Sequence, residues 1–363
     1  MLLDRIDSPD DLRQMDDREL DQLAGEIRQF IVDAVNASGS GHLGSNLGAV
    51  ELTLALHRVF DSPRDIILWD TGHQAYVHKI VTGRKDAFVG LRKAGGLSGY
   101  PSRDESPHDW IENSHASTVL SYAHGLATAQ QSDSGDGRTV VAVIGDGSMT
   151  GGMAYEGLNN LGHSGRDCII VLNDNGRSYA PTVSRLGESL NRIRTNPTYV
   201  RETSRLERIL RRVPLMGRFL TRGFNATRTA AREMLTEPIT FFEQLGLFYS
   251  GPFDGHDRRE VERALRNAAE LGGPQIVHVV TQKGRGYAPA ETDNIKRLHD
   301  IGPGVAKPGS YTAAFTDAMC KLAEEHPELV AITAAMPDST GLLPFKDRFP
   351  DRFLDVGIAE QHA

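Results

Sequence analysis

Two apolar runs in this chain stop abruptly at oxygen-bearing side chains. VVAVIGDGSMTGG places Asp146 at the end of the first, and IIVLNDNGRSYA places Asn175 at the end of the second. The two residues lie 29 positions apart, room for one helix and a returning strand, so a carboxylate and a carboxamide stand side by side at adjacent strand ends. Hard oxygen ligands of this kind suit Mg2+, which prefers octahedral geometry and completes its shell with phosphate oxygens and water. Gly145 and Gly147 let backbone amides approach a phosphate, and a helix opening near Gly151 adds the positive end of its dipole. His42 and His73 each sit in a glycine turn, SGHLG and TGHQA, where a polar ring is hard to explain as core packing. His78, His124, His163 and His278 read as structural.

These groups need a scaffold. Apolar residues at Leu20, Leu23, Ile27, Phe30, Ile31 and Ala34 keep helical spacing and predict an amphipathic helix over 19–36. Further on, DIILW, RTVVAVIGDG, RDCIIVLNDN and PQIVHVVTQKG read as strands, with helices over 116–130 and 152–161 between them. Asp257 is placed to cap a helix reaching Leu271, with Glu260 at the capping-box position. Strand, loop and helix in alternation define an α/β fold, a mostly parallel sheet with helices on both faces, whose ligands sit at the carboxyl ends of the strands. The arginine-rich segment 184–240 breaks the rhythm and reads as a helical excursion, either a lid or, more plainly, a solvated basic helix pair. One domain over 1–303, a linker GVAKPG over 304–309 and the start of a second α/β unit over 310–363 complete the organisation.

Composition narrows the function. With 363 residues, 39% hydrophobic and 24% charged, the chain is of ordinary globular type and exceeds one typical domain. A net charge of −8 argues against a general nucleic-acid binder, which needs clustered Lys and Arg on phosphates. Cys168 and Cys320 have no metal-ligand spacing and read as reduced core residues of a cytoplasmic protein, and the sequence shows no signal peptide or membrane-spanning stretch. A nucleotide-dependent dehydrogenase is disfavoured, because no strand runs into GxGxxG with an acid some twenty residues on.

The GDG of the first strand end, followed by the Asn-rich turn of the second, resembles the thiamine-diphosphate (ThDP) motif of the transketolase superfamily. GHLGSNLGAVELTLALH, WDTGHQAYVHKIVTGR, GGLSGYPSR, NDNGRSYAPT, GPFDGHD, TQKGRGYAPAE and DVGIAEQHA are, in that order, similar to the 1-deoxy-D-xylulose-5-phosphate synthase family within it. The resemblance implies a ThDP-binding fold, with 1–303 as the diphosphate and Mg2+ domain and 310–363 as an incomplete pyrimidine-binding domain. It implies that Asp146, Asn175 and the backbone carbonyl of Arg177 hold Mg2+, and that Gly147, Ser148 and Lys283 face the diphosphate. His42 and His73 would face the reacting carbon of the cofactor, with His299 near the reacting centre. Ser114, His115 and Ala116 would lie along the cofactor, opening a helix that Ser117 could instead simply cap. Glu360 would hydrogen-bond to the aminopyrimidine. The activity so implied is a transferase reaction, the condensation of pyruvate with D-glyceraldehyde 3-phosphate to 1-deoxy-D-xylulose 5-phosphate and CO2, serving isoprenoid-precursor and thiamine synthesis. A homodimer, or a complementary chain supplying the missing half, is the implied partner. Because the resemblance covers little more than half of the family's length, the sequence reads as a truncated or split form. A catalytically silent ThDP-binding subunit is the alternative, and a transketolase acting on other sugars fits NDNGRSYAPT and GIAEQHA less well.

Overall fold

A computed structural model of the chain describes residues 1–132, 135–176, 237–293, 297–301 and 308–363. Arg177, linker residues 304–307 and all but the last few positions of the excursion read over 184–240 lie outside the described residues.

Helix α1 spans Asp17–Ser38, two residues longer at each end than the apolar spacing indicates. Its start is set by a reciprocal cap in which Asp16 accepts from Glu19 N–H and Glu19 returns the bond to Asp16 N–H. A short helix Gly44–Gly48 precedes α2, Val50–Val59. Strand β1, Ile66–Trp69, is followed by short helical turns over Tyr76–Lys79, Ile80–Arg84 and Lys85–Gly90 and an irregular stretch before α3, Val119–Gln130, after which come β2, Val140–Gly145, α4, Gly152–Ser164, and β3, Cys168–Asp174. Next are α5, Glu237–Gln244, β4, Phe248–Asp254, α6, Arg258–Leu271, and β5, Pro274–Val280. Asp257 caps α6 through Glu260 N–H, where the sequence places that cap.

The five strands pair in the order β1-β2-β3-β5-β4, every pair parallel. Strand residues alternate between two cores, as the pleat requires. Ile66, Leu68, Ala142, Ile144, Ile170 and Leu172 pack toward α3 and α4, while Ile67, Trp69, Val141, Val143, Ile169 and Val171 pack toward α2 and α6. The helices therefore cover both faces. Strand β4 was not legible: Gly251 and Pro252 interrupt its pattern and the register shifts between Ser250 and Phe253. It lies at the sheet edge, where a proline and a bulge are tolerated.

After the linker, α7, Tyr311–Glu325, β6, Ala331–Thr333, α8, Leu343–Arg348, and β7, Phe353–Asp355, form a smaller unit with a two-stranded parallel sheet. Its core gathers Cys320, Ala323, Ala331, Leu342 and Phe345. Both cysteines are free and buried, and burial pushes the Cys168 thiol up to about 12. Among the described residues no helix is long and apolar enough to cross a membrane.

Candidate active site

Polar groups converge at the carboxyl ends of β1, β2, β3 and β5. Parallel pairing of β2 with β3 brings Asp146 and Asn175 together, and Asn175 N–H donates to Asp146 Oδ1 at 3.3 Å. Asp146 is buried, as are Gly147 and Ser148 in the turn that follows. Gly151 is needed for packing: a Cβ there would stand 2.1 Å from Ser117 Oγ, so α3's approach loop and the turn after β2 touch directly. Helix α4 opens at Gly151 with no side chain on its first N–H groups.

Three histidine rings gather beside this pair. His42 and His73 lie 5.5 Å apart, His42 and His299 5.6 Å, and His73 and His299 5.3 Å, centroid to centroid. Asn46 joins the first two turns, donating to the carbonyls of His42 and His73 at 2.7 and 2.8 Å while accepting from Tyr76 N–H. The Nδ1 atoms of His42 and His73 are buried with no hydrogen-bond partner among the described residues. Burial, reinforced by the charges of Arg92 and Lys283 and opposed by Asp300, pushes His42 down to about 4. Burial likewise holds His73 well below the usual histidine range, with His42 and Lys283 adding to it. His299, in a loop whose outline the sequence leaves vague, is only 6% exposed, and Lys283 Nζ meets its Nδ1 at 2.6 Å. Lys283 is buried too.

The two groups of residues are tied by a polar ladder across three strand ends. Asn173 Nδ2 donates to Gln74 Oε1 at 2.9 Å, and Thr281 Oγ1 donates to Asn173 Oδ1 at 2.6 Å. Below Asn175, Asp174 accepts from Gly176 N–H and from His278 Nε2, and His278 Nδ1 takes the Tyr249 hydroxyl at 2.5 Å. A carboxylate only accepts, so the His278 proton sits on Nε2. His78 is also structural: its Nε2 faces Asp109 at 2.8 Å and its Nδ1 faces His57 at 2.9 Å.

The NSHAS segment does not open a helix as the sequence indicates. Ser117 takes φ +73°, which ends any helical run, and α3 starts at Val119. Nor does Ser117 cap it: Ser117 Oγ donates to the Ser148 carbonyl, and Asp70, at the end of β1, accepts from Ser117 and Val119 N–H at 3.0 and 3.1 Å. Ser114 and His115 are exposed and Ala116 half-buried. His115 Nε2 lies 3.9 Å from Glu360 Oε1. The Glu360 side chain is 43% exposed among the described residues. Its segment nonetheless reaches the site: the Ile358 carbonyl and Gln361 lie against Gly151 and Gly152.

Asn46, Gln74, Tyr100, Asn173 and Thr281 are site residues that sequence reasoning missed. Tyr100 stands 5.7 Å from the His42 ring. Gln74 alone had a local signal, as the neighbour of His73 in TGHQA.

The fit to a diphosphate cofactor with Mg2+ rests on these features. Two buried imidazole nitrogens with no partner among the described residues, and a buried lysine, lie at the same carboxyl end of the sheet as a buried carboxylate that accepts from the Asn175 N–H. Among the described residues no group of three or more His, Cys, Asp and Glu gathers as a metal cluster. An Mg2+ held here would draw on Asp146, Asn175 and non-protein oxygens, the usual habit of that ion.

The parallel sheet with helices on both faces is a transketolase-type fold, as solved structures show. A transketolase variant from Pichia stipitis matches with TM-score 0.55 and 18% identity, covering 85% of this chain and 47% of that one. Transketolase from Leishmania mexicana matches with TM-score 0.53 and 15% identity, covering 93% and 60%. Sequence profiles narrow the assignment: 1-deoxy-D-xylulose-5-phosphate synthase matches residues 3–281, and the transketolase pyrimidine-binding domain matches residues 307–363. The chain belongs to the 1-deoxy-D-xylulose-5-phosphate synthase family. It is 54% identical to the enzyme of that name from Mycobacterium avium (strain 104) and 53% identical to that from Mycobacterium bovis (strain BCG / Pasteur 1173P2). Both alignments cover all of this chain and 57% and 58% of the relatives, so the chain spans little more than half of their length.

Proposed function

We propose that the chain is the ThDP- and Mg2+-binding portion of a transferase that condenses pyruvate with D-glyceraldehyde 3-phosphate to 1-deoxy-D-xylulose 5-phosphate and CO2. The observation that carries this reading is the gathering of His42, His73, His299 and Lys283 at the carboxyl end of the sheet, the end that also holds Asp146 and Asn175. Bound ThDP supplies a carbon nucleophile for the keto group of pyruvate and accepts the electrons left when CO2 departs.

The chain's own residues hold, orient and move protons. Asp146, Asn175 and the Arg177 carbonyl hold Mg2+, and Gly147, Ser148 and Lys283 take the diphosphate. Ser114, His115 and Ala116 lie along the cofactor, and Glu360 serves its aminopyrimidine. His42 and His73 are uncharged at neutral pH because burial disfavours their cations. Each offers a bare nitrogen that accepts a hydrogen bond from a substrate hydroxyl and relays its proton. His299 is held beside them by Lys283 Nζ, which meets its Nδ1 at 2.6 Å. Residues 1–303 carry the diphosphate end, 304–309 link, and 310–363 begin the portion for the aminopyrimidine. A second copy of the chain is the proposed partner.

Calorimetric titration with ThDP tests the reading. Binding is expected to require Mg2+, and Asp146→Ala is expected to weaken it at least tenfold, as loss of metal-site residues does. Equal affinity of the variant and the parent removes the metal assignment.

A further inference from the structure

The loop after β5 carries Lys283, and a relay of side chains from other elements holds it. Gln282 N–H donates to His256 Nε2 at 2.8 Å. On the far side of that ring, Nδ1 faces Glu51 Oε2 at 3.1 Å, and Arg28 Nη2 donates to the same oxygen at 2.5 Å. Arg28 is itself anchored on the Leu47 carbonyl through Nε at 3.3 Å. The relay thus runs from α1 through α2 and the turn before α6 to the loop after β5. All three side chains are largely buried.

The chemistry of the ring fixes its state. A backbone N–H meets a ring nitrogen only where a lone pair is free, so Nε2 is bare and the proton sits on Nδ1, where a carboxylate receives it. Burial alone would raise the Glu51 carboxyl, but the hydrogen bonds from His256 and Arg28 and the Arg28 charge outweigh it and hold the group below the usual carboxylate range. The acceptor is therefore permanently charged near neutral pH, and one tautomer satisfies both neighbours. On its other side the loop has no room to move. Gly284 N–H donates to the Gly44 carbonyl at 2.8 Å, and a Cβ on Gly48 would stand 2.8 Å from the Gln282 carbonyl.

We propose that His256 is a positioning residue: as the Nδ1–H tautomer aligned by Glu51, it fixes the Gln282 peptide and thereby aims the Lys283 ammonium at the diphosphate of the cofactor. The inference rests on the proposed role of Lys283. GPFDGHD drew attention in the sequence for its family resemblance and for the helix cap at Asp257, and the histidine before that cap carries no assigned role.

The test uses the full chain and three variants, His256→Phe, His256→Gln and Lys283→Ala. Phenylalanine keeps the ring volume without the acceptor, whereas the Gln carboxamide oxygen reaches the place of Nε2. Affinity is read by calorimetry with ThDP and Mg2+, and the Gln282 amide by hydrogen exchange. His256→Phe is expected to weaken binding about tenfold and to speed Gln282 exchange by at least that factor, with His256→Gln restoring most of both. Binding as tight as the parent's in His256→Phe, beside lost binding in Lys283→Ala, overturns the positioning role alone. If Lys283→Ala also binds like the parent, the Lys283 reading falls and the inference with it. Nitrogen-15 spectra of the parent's His256 give a readout that needs no variant: an Nδ1–H ring is expected, and an Nε2–H ring overturns the proposal.

Discussion

At the scale of single residues, His42 shows how burial becomes a pH dependence. Its folded-state value, about 4, lies below the ordinary 6.5, so the unfolded chain takes up a proton first as pH falls. Stability is thus fully present above 6.5 and is lost as pH drops through 4, by at most about 3 kcal/mol from this one group. His42→Asn removes the titration. Thermal unfolding between pH 7 and 4 should show the parent losing stability more steeply than the variant, and parallel curves would rule out a depressed His42. Asp146, Asn175, His42 and His73 were legible because strand ends and glycine turns leave a local pattern. Lys283, His299 and Glu360 were assigned by resemblance. Asn46, Asn173, Thr281 and His256 left no such mark, since each acts through partners from distant parts of the chain.

At the scale of elements, the start of α3 is the instructive case. Local reasoning looks for a cap within the helix's own first residues, and NSHAS offers two serines. The structure uses Asp70 instead, a buried carboxylate from β1 that accepts two N–H groups. Burial raises its pKa and those two hydrogen bonds oppose the rise. Asp70→Ala leaves two donors without their acceptor, a loss of about 2–4 kcal/mol. Asp70→Asn, with one acceptor oxygen, should recover part of it. Urea midpoints of the three proteins measure this, and an Ala variant within 0.5 kcal/mol of the parent, about the scatter of neutral surface changes, would contradict it. The alternation of strands and helices was legible because apolar periodicity is a local property. Strand β4 was not, because its pairing with β5 overrides an unfavourable local sequence around Gly251 and Pro252.

For the whole molecule, two cores of unequal size imply two stabilities. The five-stranded sheet is packed on both faces, whereas the smaller unit rests on five buried side chains around a two-stranded sheet. So short a sheet depends on its helices for stability. Phe345, fully buried there, is the largest of the five, and Phe345→Ala should cost about 3–5 kcal/mol, all of it local to that unit. Calorimetry should show a lower-temperature transition shifting or vanishing while the main one stays in place. A single transition moving as one would mean that the units unfold together. The fold class was legible in full from alternation, and the family from its motifs. The coupling between the site's halves was not, because it is made by side chains whose partners lie about a hundred positions away.

That coupling has a consequence for the order of events as the chain is made. The ladder joins Gln74 to Asn173 and Asn173 to Thr281 across separations of 99 and 108 positions, and β5 is the neighbour of β3 although β4 precedes it in the chain. His42, His73, Asp146 and Asn175 all emerge during synthesis well before Thr281 and Lys283. Until β5 arrives, the edge of β3 from Ile169 to Leu172 has no pairing partner, an interval in which a nascent chain is open to misassembly. Under the proposed function, cofactor cannot shorten that interval, since Lys283, proposed for the diphosphate, follows β5. The nascent chain must reach a nearly complete sheet on its own, and the ligand then acts on the finished fold.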